Sequence, residues 1–474
     1  MRLGVKQAPA QIIPATSRCT LAFAGMYLFT LVLFARPAEL FPGIFGPLPL
    51  AKIIAFVTPL VYLLSKMGRG ERFLIWPLEL KMAVLIGVLG LVLAPIAASS
   101  QDSFDVLFDV YFKILIVFSL LINLTDTRGR LRSLIVLILI CCSWLALDSI
   151  IAFLTGEVSK TFDGNKLKDT FVGIFSNPND RATIFAMMMP LAVACGLIRR
   201  GLTGLLFLAL GGLFAVGVIA SFSRAGMLGL IATAGFLIWK VGRRKRWVRW
   251  VAGLMLIAFL AFAAPGGLGD RFFHPSKDKR ESAEDRERVL KRAAILSLRH
   301  SAIGLGMGNF HTYSFKELRA HNSYLEIAAE LGFIGLLAYL IMLITPIRSL
   351  VRIERRPHDL NEQSGREIYY LSIGLQGTFL AYSICSFFSS IQYSWFIYHP
   401  IVFAIALRRI TQFEAQAEEE SSDTQLAIVT EPEQGRLRGT LWRPQRVGRL
   451  FQTGESDARA RTALIQPGKL WVDR

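Results

Sequence analysis

The sequence predicts an all-α fold, a polytopic helical membrane protein with about twelve transmembrane helices and a partly helical external loop between helices 9 and 10. Three observations carry that expectation. Hydrophobic residues make up 53% of the 474 positions, 34 of them Phe, and the mean hydropathy is +0.46, above the range of soluble chains. The apolar residues come in blocks of about 17–25, the length that crosses a ~30 Å hydrocarbon core. Basic residues gather at every second block end, as the positive-inside rule requires of cytoplasmic connections.

Taken in order, residues 1–18 form a cytoplasmic lead carrying Pro9 and Pro14. Its Arg2, Lys6 and Arg18 resemble the charged start of a signal peptide, but no small-residue cleavage site follows, so an uncleaved first helix is expected. The expected spans are 19–36, 45–65, 79–99, 105–124, 132–154, 182–198, 202–221, 225–241, 247–266, 324–347, 367–390 and 393–410. Together, 19–410 form one membrane domain, with 267–323 as its long external loop. Beyond it, 411–474 starts with an acidic run (Glu414, Glu418, Glu419, Glu420) and loses hydrophobic periodicity, which reads as a disordered cytoplasmic tail.

The formal charge of +18 does not point to nucleic acid, because of where it sits. Lys66, Arg69 and Arg72 follow the second span; Arg128, Arg130 and Arg132 the fourth; Arg199 and Arg200 the sixth. Arg243, Arg244, Lys245, Arg246 and Arg249 follow the eighth, Arg348, Arg352, Arg355 and Arg356 the tenth, and Arg408 and Arg409 the twelfth. Every even-numbered exit is basic, which puts both termini in the cytoplasm. All five cysteines (Cys19, Cys141, Cys142, Cys195, Cys385) lie in expected spans, so no disulfide framework is expected. The six histidines lack His-x-x-x-His spacing and carboxylate clusters, which speaks against a metal site, and no cofactor motif appears. Gly304-Leu305-Gly306-Met307-Gly308 resembles a dinucleotide fingerprint only superficially, since a helix and not a strand precedes it; it reads as a tight turn back to the membrane.

Four stretches carry candidate chemistry. In Gly173-Ile174-Phe175-Ser176-Asn177-Pro178-Asn179, Asn177 and Asn179 either cap the next helix or form a substrate-facing lip. In Ser221-Phe222-Ser223-Arg224-Ala225-Gly226, Arg224 is either a snorkelling interfacial cation or a ligand-binding one, with small neighbours Ser221 and Ser223 leaving room for a bulky group. Residues 282–300 read as an amphipathic helix N-capped by Ser282. On it, Arg288, Arg292 and Arg299 fall within about 40° of one another beside an apolar stripe of Val289, Ala293 and Leu296. That basic stripe is either a solvated face or an anion site. His321-Asn322-Ser323-Tyr324-Leu325-Glu326 opens the tenth span, where His321 is either a hydrogen-bonding fixture or a base, flanked by Asn322 and Tyr324.

These pieces, with Glu330-x-Gly332 and Arg288 followed by Gly304-x-Gly306, resemble the O-antigen ligase and O-antigen polymerase-like family of bacterial membrane glycosyltransferases. The likeness covers about 170–345. It implies a metal-independent transfer at the outer face of the bacterial cytoplasmic (inner) membrane, in O-antigen or exopolysaccharide assembly. The donor would be a glycan on undecaprenyl diphosphate, and the acceptor a hydroxyl of lipid A-core or of another lipid-linked glycan, with membrane lipid around the chain and no nucleic acid. By the same likeness Arg224 and Arg288 would hold the diphosphate, and His321 would activate the acceptor or orient the reacting groups; the residues themselves add Arg292, Ser221, Ser223, Asn322, Tyr324, Asn177 and Asn179 as candidates to line the substrate. The sequence departs from the family pattern at Arg292, where an aromatic residue is common, and at Ser301, where proline is common. Ligase and polymerase roles both stay open, with the loop departures leaning to a polymerase. A transporter or flippase that moves a lipid-linked glycan without chemistry is the alternative reading.

Overall fold

In a computed structural model, the described residues are 19–40, 42–45, 49–68, 73–155, 177–242, 250 and 277–430. The lead 1–18, the ninth expected span apart from Trp250, the loop stretches 156–176 and 267–276, and the tail from 431 onward lie outside them. The chain divides into two units, Met1–Ala417 and Glu418–Arg474. Among the described residues every regular element is helical.

The first unit begins with α1 (Thr20–Ala35), α2 (Leu50–Met67) and α3 (Leu78–Leu93). Next comes α4, a continuous run of Ser100–Asp105, the π-helical Val106–Tyr111 and Phe112–Leu124. It is followed by α5 (Arg128–Leu154), α6 (Pro178–Ile198), α7 (Gly201–Ala220) and α8 (Arg224–Val241). The loop helix α9 (Lys277–Arg299) precedes α10 (Ser323–Arg355), α11 (Gln363–Ser386) and α12 (Tyr398–Thr430). Seven of these, α2, α3, α5, α6, α7, α8 and α10, are long and apolar enough to cross a membrane.

Several boundaries differ from the sequence reading, each for a local reason. The fifth and sixth helices start at Arg128 and Pro178, because Thr127 and Asn177 supply side-chain oxygens that cap the first amides. The loop helix begins at Lys277, so Ser282 lies inside it and is not its N-cap position; the Lys-Asp-Lys-Arg-Glu stretch before Ser282 has adequate helix propensity to extend the helix backwards. The stretch 411–430 continues α12 to Thr430. Its Gln-, Ala- and Glu-rich composition favours helix, and the Arg128 guanidinium grips the Glu414 carboxylate through Nε–Oε1 at 2.7 Å and Nη2–Oε2 at 2.6 Å. Of the second unit, the described part is this helical stretch.

The most enclosed helix is α6, 94% of whose apolar window is buried. It runs antiparallel to α11: Thr378 Oγ1 donates to the Met187 carbonyl at 2.8 Å, and Gly374 and Gly377 face Pro190 and Ala194 with no room for a Cβ. Small residues at such crossings let helix backbones approach closely. At the start of α8, Gly226 sits against Ala182 and the Ala225 carbonyl lies 3.5 Å from Cys385 Sγ. On the far side of the bundle, Lys240 of α8 donates to Glu354 of α10 at 2.8 Å. Consequently α6, α8 and α10 all start at one end, where α11 stops. Buried ion pairs fasten the other end: Glu79, fully enclosed, receives Arg408 Nη1 at 2.8 Å, and Glu367 is held by Arg132.

Helix α10 is broken near its start. Gly332 has φ 70° and ψ −172°, a conformation that only glycine adopts without strain, and the helix resumes beyond it. The backbone groups freed by the break are taken up by the segment after α9. Leu305 N–H donates to the Ala329 carbonyl at 2.9 Å, Gly306 N–H to the Glu330 carbonyl at 2.9 Å, and Phe333 N–H to the Ser301 carbonyl at 2.7 Å. Gly304 lies flat against Glu330, where a Cβ would collide with backbone. The glycine-rich motif is thus a strap docked on a broken helix, and more than a simple turn. Its other side is held by Asn309, whose amide bonds Ser99 O at 3.0 Å and Ser103 Oγ at 2.7 Å.

Candidate active site at the mouth of the broken helix

Three capped helix starts meet at the end of the bundle where His321 lies. Asn177 Oδ1 accepts from Asn179 N–H at 2.9 Å at the head of α6. Ser223 Oγ accepts from Gly226 N–H at 3.2 Å at the head of α8. At the head of α10, Asn322 Oδ1 accepts from the amides of Tyr324 and Leu325, both at 3.0 Å. Each start presents the positive end of its helix dipole to the same side, an arrangement that favours anions there. The chain links among them are direct: Ala225 touches Cys385, and the neighbouring Ser386 Oγ donates to the Tyr324 hydroxyl at 3.0 Å. Arg224, exposed as the first residue of α8, and His321 therefore flank the same end of α11.

His321 is held in an unusual way. Its φ is +50°, uncommon outside glycine, and it is half-buried. Its backbone N–H donates to Ser390 Oγ at 3.0 Å, and that hydroxyl in turn donates to Glu326 Oε2. The same carboxylate oxygen accepts from Ala320 N–H at 3.1 Å, while Oε1 accepts from Gln392 Nε2 at 2.9 Å. One turn on, Glu330 accepts from Phe310 N–H at 3.2 Å and from the Tyr393 hydroxyl at 2.8 Å. Both carboxylates are almost fully enclosed, and neither pairs with a cation among the described residues. Neutral donors satisfy them instead, as buried acids require. The imidazole makes no hydrogen bond among the described residues, so its nitrogens are available to a reactant. Burial, followed by the charges of Arg286 and Arg319, pushes His321 below the ordinary histidine range. It is therefore the neutral, proton-accepting form that prevails near neutral pH.

The loop helix supplies the roof. Val289, Ala293 and Leu296 are buried against Leu305, Phe310, Ala320 and Ala329, so the apolar stripe read from the sequence is the docking face. The basic stripe faces the turns at His311–Tyr313 and Phe315–Glu317. Arg288 stacks over Phe315 at 5.7 Å and lies 3.9 Å from Glu284. Arg292 Nε donates to the Tyr313 carbonyl at 3.1 Å, and Arg299 stays exposed. By contrast, the cations that act electrostatically on His321 are Arg286, on another side of the same helix, and Arg319, which also acts on Asp180 of α6.

Of the residues singled out from the sequence, the structure gathers His321, Asn322 and Tyr324 with the heads of α6 and α8. Several of their polar atoms are already engaged. Ser221 Oγ donates to the Val218 carbonyl at 2.6 Å, Ser223 and Asn322 are occupied as caps, and Tyr324 donates to the Ser383 carbonyl at 3.0 Å. Arg224 makes no hydrogen bond or ion pair among the described residues. Sequence reasoning did not find Ser390, Gln392, Tyr393, Arg286 or Arg319. Ser390 and Tyr393 lie more than sixty residues beyond the histidine, and only the antiparallel return of α11 brings them back. Arg319 sits two positions before His321 and was legible as a cation close to the candidate base.

Residues 204–340 match the family model described as O-antigen ligase, which makes this segment O-antigen ligase-like. A search of curated proteins finds no match.

Proposed function

We propose, taking an O-antigen ligase-like segment at 204–340 as the premise, that this chain is a membrane glycosyltransferase of the ligase or polymerase type. Its donor is a glycan on undecaprenyl diphosphate, and its acceptor a hydroxyl of lipid A-core or of another lipid-linked glycan. The reaction takes place at the outer face of the cytoplasmic membrane, with twelve spans and both termini in the cytoplasm, and needs no metal. The observation that carries this reading is His321, whose imidazole has no hydrogen-bond partner among the described residues and is held on a locked backbone at the end where three helix starts converge.

In the proposed step the acceptor oxygen attacks the anomeric carbon of the donor while the bond from that carbon to the diphosphate oxygen breaks. His321 takes the proton of the acceptor hydroxyl, and the lipid diphosphate leaves with the electron pair. A hydroxyl is a poor nucleophile without such help, and a base that is neutral at the working pH supplies it. The departing diphosphate gathers negative charge, which arginine stabilises with fixed, always-protonated donors. Arg224 and Arg288 are the groups assigned to it by the family likeness, and Arg286 and Arg319 add positive charge beside His321. The diphosphate carries its own activation, so the reaction needs no nucleotide.

The test is transfer by purified protein reconstituted in liposomes with a labelled lipid-linked donor and a hydroxyl acceptor. A new glycosidic product that survives excess chelator is expected. Movement of donor across the bilayer with no such product would replace this reading by the transporter one.

A further inference from the structure

At the end of the bundle opposite His321, a cavity of about 520 Å³ opens between the last turn of α6, the first turns of α7 and the start of α11. Its size falls within the ~300–1,000 Å³ range of small-molecule sites. The α6–α7 connection that frames it is tight. Gly201 takes φ +68° in the turn, and Gly196 and Gly204 meet face to face, where a Cβ on Gly204 would lie 2.7 Å from the Arg199 carbonyl. That closeness fixes Arg199 and Arg200, which sit in the two-residue link, at the cavity wall.

The wall has two chemical halves. The polar half is cationic: Arg199, Arg200 and Arg366, none of which forms an ion pair among the described residues. Arg199 is braced by stacking on Phe207 at 4.4 Å. Arg366 donates from Nη1 to the Asn361 carbonyl at 3.3 Å, while its Nε is buried with no partner among the described residues. Three guanidinium groups on one wall repel one another unless an anion sits among them. The nearest carboxylate along α11, Glu367, cannot serve, because Arg128 and Arg132 already hold it. Asp359 is turned to the amide of Asn361 at 2.8 Å. The apolar half is formed by Leu205 and Leu208, and Leu205 continues outward into Leu202 and Leu206, which are 71% and 59% exposed. On a membrane-length helix that exposed surface is where acyl chains lie.

We infer that this cavity binds the headgroup of an anionic phospholipid, with the phosphate on Arg199, Arg200 and Arg366 and the acyl chains running along the exposed leucines of α7. Guanidinium groups match phosphate oxygens in number and geometry. Basic pockets between membrane helices take such headgroups, and each arginine near the surface contributes roughly fivefold in affinity. A free phosphate would satisfy the cations and leave the leucine surface unused. The amphiphile satisfies both.

The full-length chain, purified in detergent, is titrated with phosphatidylglycerol, with phosphatidylcholine and with inorganic phosphate, and bound adducts are counted by native mass spectrometry. Preferential retention of phosphatidylglycerol over phosphatidylcholine is expected, reduced about twenty-five-fold in Arg199→Gln/Arg366→Gln, two arginines at about fivefold each. Should the double variant not fold, Arg366→Gln alone is read the same way, with about a fivefold loss expected. Equal retention of the two lipids by the wild type, a preference that survives the substitutions, or displacement of the lipid by an equal concentration of phosphate would overturn the inference.

Discussion

Glu326 governs the backbone of His321 through Ser390: the serine hydroxyl accepts from the His321 amide at 3.0 Å and donates to the Glu326 carboxylate, which also takes the Ala320 amide at 3.1 Å. One buried acid thereby fixes the two successive peptide units that lead into the candidate base, where the backbone turns to φ +50°. Without those bonds nothing in the local sequence favours that conformation, since histidine bears the full Cβ penalty there.

Glu326→Gln should therefore lower turnover by about tenfold or more, the scale on which a misplaced catalytic group costs rate, while donor KM changes little. The amide can accept from Ala320 N–H but cannot accept from both Ser390 and Gln392 as the carboxylate does. Steady-state kinetics on the reconstituted protein check this, and a rise in donor KM with unchanged turnover would argue against a positioning role.

The break in α10 makes a sharp stability prediction. Gly332→Ala forces a side chain into the left-handed region and towards the Ser301 carbonyl, and Gly304→Ala collides with the Glu330 backbone. Each should destabilise by at least about 1–2 kcal/mol. At Gly235, where an added Cβ meets nothing, alanine should be neutral or stabilising by up to ~1 kcal/mol. Thermal unfolding of the three variants in one detergent compares them directly.

A pH profile reads the environment of His321. Burial and the two arginines hold its titration below the usual histidine range of ~6.5, so transfer should persist on the acid side of that value. Removing a neighbouring cation favours the protonated imidazole, so Arg319→Gln or Arg286→Gln should move the acid limb of kcat/KM to higher pH. Lys291→Gln, whose charge pairs with Glu287 at 2.7 Å, should leave the limb in place.

The helical, membrane-length character of the chain was legible because hydropathy blocks need no tertiary information. So were the apolar stripe of the loop helix and the capping role of Asn177, which are local patterns, whereas Ser223 and Asn322 read as substrate-lining residues and serve as caps. What stayed hidden depended on distant partners. Gly304 and Gly306 read as a turn, yet they serve a helix break at Gly332, more than twenty residues later. Arg408 read as a topology signal, yet it neutralises Glu79 from the far end of the sequence.

That last pair is testable by itself. Arg408→Ala leaves the Glu79 carboxylate fully enclosed without its cation and should cost about 3–5 kcal/mol, seen as lost folded protein. Exchanging both residues for apolar ones should restore much of the loss.

The diphosphate assignment has its own signature. Arg224→Lys and Arg288→Lys keep the charge and lose the bidentate fork, so transfer should drop sharply at nearly normal levels of folded protein. Equal activity of the lysine and arginine forms would reduce both residues to general electrostatics.

The central claim is that His321 activates the acceptor. Single-turnover transfer from a preloaded lipid-linked donor, followed in wild type and in His321→Ala, addresses it most directly. The account predicts that the variant binds donor as the wild type does and forms product at least about 100-fold more slowly, the usual contribution of a general base. Near-normal product formation by His321→Ala would contradict it.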